Sequence, residues 1–129
     1  MSLEDGNYTI TSHSSDQFVG RNMAEDRSVL PKRVVSLPLG MQAPMWELRR
    51  EGPNCKLSIG GNHTAGIDNK LYAILIPEPI ATEWKIEPAE QAEEGCYTIT
   101  QADNGARWAA PEEMYEQASM DGSASPLLF

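Results

Sequence analysis

The sequence predicts an all-β chain folded as a β-trefoil, and three observations predict it. Helix signal is nearly absent; short alternating apolar runs, separated by Gly, Pro, Asn and Asp, recur along all 129 residues. One strand start returns three times, as Tyr8-Thr9-Ile10-Thr11, Lys56-Leu57-Ser58-Ile59 and Tyr97-Thr98-Ile99-Thr100. A tryptophan-led strand then ends the first two units, as Met45-Trp46-Glu47-Leu48 and Glu83-Trp84-Lys85-Ile86. Three units of about 40 residues, with four short strands each, cannot bury separate cores, whereas stacked about a pseudo-threefold axis they close one barrel. Blade-type repeats of this length need more copies. The alternative is a generic β-sandwich with accidental internal similarity. Either way the chain reads as one domain, 1–129, long enough to bury a core.

Taken in order, Tyr8 to Thr11 reads as the first strand, with Tyr8 and Ile10 on one face. A run from Gln17 to Asn22 and another over Arg33–Leu37 give the second and third, the latter ended by Pro38-Leu39-Gly40. Met45 to Arg49 is the fourth, with Trp46 and Leu48 facing inward, and Glu51-Gly52-Pro53-Asn54 is a turn. In the second unit Lys56–Ile59, Ala65–Ile67, Leu71–Ile76 and Glu83–Ile86 answer them. In the third, Cys96 to Thr100, Arg107-Trp108-Ala109 and Tyr115 to Met120 do the same. The last strand has little room. Counting along the chain sets Phe129 where Trp46 and Trp84 stand, which predicts a truncated closing strand and an unpaired edge beside it.

Composition narrows the function. Net charge is −9, and most of the acids fall in residues 78–121, where Lys85 and Arg107 are the only bases. Nucleic acid is a poor partner for such a surface, because binding there comes from neutralising phosphates. No apolar run is long enough to span a membrane as a helix. The first residues, Met1-Ser2-Leu3-Glu4-Asp5-Gly6, are acidic and polar, unlike a signal peptide, which leads to the expectation of a cytoplasmic protein. In that compartment Cys55 and Cys96 are expected as thiols with no disulfide between them. No cofactor or metal is expected, since His13 and His63 have no ligand-forming spacing with the cysteines.

The enzyme reading fails on inventory. A cysteine nucleophile needs a nearby base, and only two histidines exist to supply an imidazole. No Gly-x-Ser-x-Gly elbow occurs, and the acidic pairs Glu93/Glu94 and Glu112/Glu113 sit in polar loops. Sugar binding is a second possibility, since Trp108 beside Asp103-Asn104 could form an aromatic platform with polar partners. Against it, no repeat carries a Gln-x-Trp motif, and Trp46 and Trp84 fall in the strand pattern as core residues.

The stretch with most to say about function is Ala24-Glu25-Asp26-Arg27-Ser28-Val29-Leu30-Pro31-Lys32-Arg33. It is too long for a tight turn and too polar for a core, and long polar loops on a rigid sheet are where binding residues gather. Pro31 fixes its own φ and drives Leu30 towards extended geometry. On the other side, Asn22 is a candidate to bridge the loop from inside. The segments Tyr8-Thr9-Ile10-Thr11, Val19-Gly20-Arg21-Asn22, Glu25-Asp26-Arg27-Ser28, Leu30-Pro31-Lys32-Arg33-Val34 and Ala81-Thr82-Glu83-Trp84-Lys85-Ile86 resemble the mushroom β-trefoil serine protease inhibitors of the cospin type. The likeness covers the first 38 residues and again residues 70–86, and fades from Gly95 onward.

That resemblance implies a fungal defence protein, monomeric, that binds trypsin-like serine proteases through the loop between its second and third strands. The specificity (P1) arginine of such inhibitors corresponds to Arg27, with Ser28 after the presented bond and Glu25, Asp26 and Val29 flanking it. Rival cations are worse placed: Lys32-Arg33 and Lys70 adjoin strands and Arg49-Arg50 lies in or just after one. A second expectation comes from the related mycocypins, which inhibit cysteine proteases. There an asparagine in the loop of Gly60-Gly61-Asn62-His63-Thr64 acts against asparaginyl endopeptidases, and Asn62 matches it in place and type.

Overall fold

Eleven strands and no helix make up the described part of the chain. The computed structural model describes residues 3–13, 15–21, 25, 27–76, 81–89, 95–111, 113–120 and 127–129. The first unit contains β1 (Gly6–Tyr8), β2 (Thr11–Ser12), β3 (Val19–Arg21), β4 (Lys32–Ser36) and β5 (Trp46–Glu51). The second contains β6 (Asn54–Ile59), β7 (Asn62–Ile67), β8 (Lys70–Ala73) and β9 (Trp84–Pro88); the third has β10 (Cys96–Gln101) and β11 (Leu127–Leu128).

The first strand is expected whole but is broken in two, because it changes partners. β1 pairs with β5 and β2 with β11, while between them the Ile10 carbonyl accepts from Val19 N at 2.8 Å. Pairing then runs β5 to β6, β6 to β9, β9 to β10, β10 to β11 and β11 back to β2. Since β1 and β2 follow one another along the chain, these pairings bring the sheet nearly to a closed ring, and all of them are antiparallel. β5 and β6 are joined by the two-residue turn Gly52-Pro53, where Gly52 takes φ 67° without the Cβ clash other residues would meet.

The remaining strands form the cap. β3 pairs with β4, β4 with β8 and β7 with β8. The third unit contributes only isolated bridges, Thr100 to Arg107, Val35 to Gln117, and Ser119 to both Lys70 and Ala109. Its third strand, expected from Tyr115, therefore begins at Gln117. Tyr115 has φ 63° and gives its N–H to Ser36 O at 2.6 Å, so the chain is still turning there.

The closing strand differs from expectation, and the register shows how. Trp46 stands opposite Tyr8 on one side and Ile59 on the other; Trp84 stands opposite Cys55 and Gln101. The residue with the same two relations in the third unit is Leu127, opposite Tyr97 and Ser12. Leu127, not Phe129, is thus the counterpart of the two tryptophans, and it is fully buried. Phe129 lies two residues further on and is gripped edge-on by Tyr8 and Tyr97, with ring centroids 5.9 and 5.7 Å away. Short as it is, β11 is paired on both sides and leaves no open edge.

With a leucine at the third position, the third indole comes from elsewhere. Trp108 is 2 % exposed and packs against Trp46 at 5.7 Å and edge-on to Trp84 at 5.3 Å. Trp46 Nε1 donates to Val19 O at 2.8 Å, and Trp84 Nε1 to Thr64 Oγ1 at 3.1 Å. Ile10, Leu57 and Ile99, one from each unit, complete this core. Cys55 and Cys96 lie within β6 and β10 as buried thiols, not as halves of a disulfide.

Candidate functional site

The loop joining β3 to β4 spans residues 22–31, and its tip is exposed. Arg27 lies open to solvent, and among the described residues no side chain pairs with its guanidinium. Val29 and Leu30 follow at 58 % and 65 % exposure, a large apolar area for two consecutive residues to leave in water. The backbone bends through residues 27–30 rather than running straight. Ser28 is the cause: its Oγ accepts from Leu30 N at 3.3 Å, a local hydroxyl-to-backbone turn.

Both flanks of the tip are held from behind. On the upstream side Arg21, at the end of β3, grips Glu25 through Nε at 2.9 Å and a second nitrogen at 2.7 Å. The pair is two-pronged and about four-fifths buried, the geometry in which an ion pair orients its partners best. Glu25 holds the Arg21 guanidinium charged, above its ordinary value, against the opposing pull of burial. Arg21 also donates to Asn62 Oδ1 at 2.8 Å and to Ile59 O at 3.4 Å, which ties the loop to the β6–β7 turn. On the downstream side Lys32, the first residue of β4 and only 6 % exposed, brings Nζ within 3.2 Å of Ser28 Oγ.

Several expected site residues take different parts from those the sequence suggested. Asn22 and Asp26 lie outside the described residues. Among the described residues, Arg21 makes an internal bridge from the loop to the rest of the fold. Glu25 turns its carboxylate inward to Arg21, so its side chain serves the frame of the loop. Asn62 does not sit in an open loop: it is the first residue of β7, paired with Ile59, and its side chain accepts from Arg21. A paired backbone cannot enter a protease cleft, so this geometry speaks against Asn62 as a bait. Arg21 was missed, although its i, i+4 spacing to an acid was a visible signal; its long-range bond to Asn62 was not.

The rival cations are set in strands. Arg33 lies in β4 and donates to Tyr115 O at 3.3 Å; Lys70 opens β8; Arg50 lies in β5, with Asp5 and Leu3 as partners. The sugar platform is absent because Trp108 is buried, while Asn104 caps its own turn through Ala106 N at 2.9 Å. A serine–histidine contact does occur, Ser58 Oγ to His63 Nδ1 at 2.8 Å. Ser58 is buried, and among the described residues no carboxylate orients the imidazole, so the pair is a cross-strand contact rather than a nucleophile and base.

Comparison with known proteins bears on the family and the fold. The family model for peptidase inhibitor I66 matches residues 1–125. A serine protease inhibitor from Lentinula edodes is 38 % identical over 117 residues, covering 90 % of this chain and 80 % of its own. The solved structure of a proteinase inhibitor from Coprinopsis cinerea superposes with a TM-score of 0.84 at 28 % identity, over 97 % of this chain and 85 % of that one. The structure of SeviL bound to asialo-GM1 saccharide superposes with a TM-score of 0.75 at 11 % identity, over 97 % and 96 % of the two chains. That last likeness shares the fold alone.

Proposed function

This chain belongs to the peptidase inhibitor I66 family, and from that premise we propose that it inhibits trypsin-like serine proteases, as a monomer, by presenting Arg27 to the specificity pocket. The observation that carries the reading is an exposed cation at the tip of a loop whose two flanks are anchored from inside. Trypsin-type pockets end in a buried aspartate and select a long cation. A bait must also be held before binding, so that little freedom is lost on contact. Arg27 satisfies the first requirement and the Arg21–Glu25 and Lys32–Ser28 contacts support the second.

One side chain does not make a tight inhibitor. Nanomolar affinity needs about −12 kcal/mol in total, and truncating one partner of a desolvated ion pair typically costs about 2–5 kcal/mol. The remainder falls to Ser28, Val29, Leu30 and Asp26, through backbone and apolar contacts over an interface of roughly 1,600 Å². The test is Arg27→Glu, which sets a carboxylate against the pocket aspartate. It should abolish inhibition of trypsin in a standard residual-activity titration while leaving the circular dichroism spectrum unchanged. Unaltered inhibition by this variant would place the bait elsewhere.

A further inference from the structure

The frame behind the loop has a second consequence. It rests on the reading of Arg27 as the presented residue and concerns what happens once a protease is bound. We propose that Asn62 and Lys32 are positioning residues that hold the two sides of the Arg27–Ser28 bond, so that a bound protease cleaves it slowly and the cleaved ends rejoin.

The upstream side is fixed through a relay. Asn62 Oδ1 accepts from one guanidinium nitrogen of Arg21 at 2.8 Å, which leaves the other two donors aimed at Glu25, at 2.9 and 2.7 Å. Glu25 is two residues before Arg27. The relay needs Gly60, since a Cβ there would stand 2.9 Å from the same Arg21 nitrogen, and Gly60 also takes φ +60°. The downstream side is fixed directly, through Lys32 Nζ to Ser28 Oγ at 3.2 Å. Lys32 is in turn paired by its backbone with Ala73 of β8. Both anchors therefore end on the second unit, one on the β6–β7 turn and one on β8. Neither depends on the peptide bond between Arg27 and Ser28.

The chemistry follows. The protease serine oxygen bonds to the Arg27 carbonyl carbon, the C–N bond to Ser28 breaks, and the Ser28 nitrogen takes up a proton as the new amine. An amine free to swing away leaves the acyl-enzyme to water. A Ser28 whose hydroxyl is held by Lys32 keeps its amine facing an acyl group held through Glu25; the amine attacks the carbonyl carbon again, its proton passes to the departing serine oxygen, and the protease is released. Holding two reacting groups in place favours their union over a bimolecular competitor by large factors.

The experiment incubates the full chain with trypsin and reads two quantities. These are the inhibition constant at first contact and the rate at which fragments cut at Arg27–Ser28 appear by mass spectrometry. Asn62→Ala and Lys32→Met should each bind at first contact and then be cut at least about tenfold faster than the wild type. If Lys32→Met fails to fold, Ser28→Ala removes the same contact; its first-contact affinity changes too, because Ser28 faces the protease, so it is read by the ratio of cutting to binding, which should rise at least about tenfold. Asn62→Asp and Ser28→Thr, which keep the acceptor oxygens, should stay slow. All comparisons are made well below each variant's melting temperature, so that loss of stability alone does not move the ratio of cutting to binding. Wild-type ratios of cutting to binding in Asn62→Ala, Ser28→Ala and Lys32→Met would overturn the proposal while leaving the inhibitor reading intact. Undiminished inhibition by Arg27→Glu would overturn both.

Discussion

At the scale of single residues, exposure decides role. Among the described residues no side chain pairs with the Arg27 guanidinium, so its replacement should change partners without changing stability. Arg27→Leu should lose trypsin and gain measurable inhibition of chymotrypsin-like enzymes, whose pocket is a hydrophobic slot. Its unfolding free energy from urea denaturation should match the wild type to within about 0.5 kcal/mol. Cys55 is the opposite case. Burial pushes its thiol from 9.0 up to about 11, with Arg50 pulling it down and Asp5 adding to the rise. The folded state keeps this proton at pH values where the unfolded chain has released it. The stability that the neutral thiol confers is therefore complete below pH 9 and is lost as pH climbs to about 11. Urea midpoints from pH 8 to 11 should fall more steeply for the wild type than for Cys55→Ala. At pH 8 iodoacetamide should label Cys55 only after unfolding.

At the scale of elements, β11 does the most with the fewest residues. Leu127 is fully buried and its strand joins β10 to β2, so Leu127→Ala both opens a cavity and weakens the closure. Such a change should cost about 2–5 kcal/mol by urea denaturation. The more telling substitution is Leu127→Trp, which would restore the residue present at the two equivalent positions. It should destabilise by about 1–3 kcal/mol, because Trp108 already supplies the third indole of that core and a fourth overpacks it. The loop between β3 and β4 behaves differently: its tip is exposed and its frame is polar, so changes at the tip should be read in protease assays sooner than in stability.

At the scale of the whole molecule, the ring of strands makes the units interdependent. Trp46, Trp84 and Trp108 come from all three and meet in one place. Tryptophan fluorescence and far-ultraviolet circular dichroism should therefore report a single, coincident unfolding transition. Closure joins β11 to β2, the two ends of the chain, so most of the core forms only after distant segments meet. Refolding should accordingly be slow, on the order of milliseconds to seconds. Two separated transitions would mean that a unit folds by itself.

The sequence by itself determined the all-β class, the three units and the long polar loop between the second and third strands of the first unit. Period-two alternation and turn residues report strands locally, and a repeated Tyr-Thr-Ile-Thr and Trp pattern survives as a record of symmetry. The place of Arg27 in an exposed loop between two strands was legible for a similar reason, since a polar stretch with a proline reports a loop locally; the role proposed for it came from the family resemblance. What depends on register was not legible. Counting residues put Phe129 at the tryptophan position, whereas pairing on both sides put Leu127 there, because loops of unequal length shift the count and hydrogen bonds do not. Trp108, placed in a strand by its pattern, kept a sugar platform open as the alternative until packing showed it buried against two other indoles. Asn62 read as a bait until Arg21, 41 residues away in sequence, was found holding its side chain. The tertiary structure decided these because each is a contact between segments that only the closed barrel and its cap bring together.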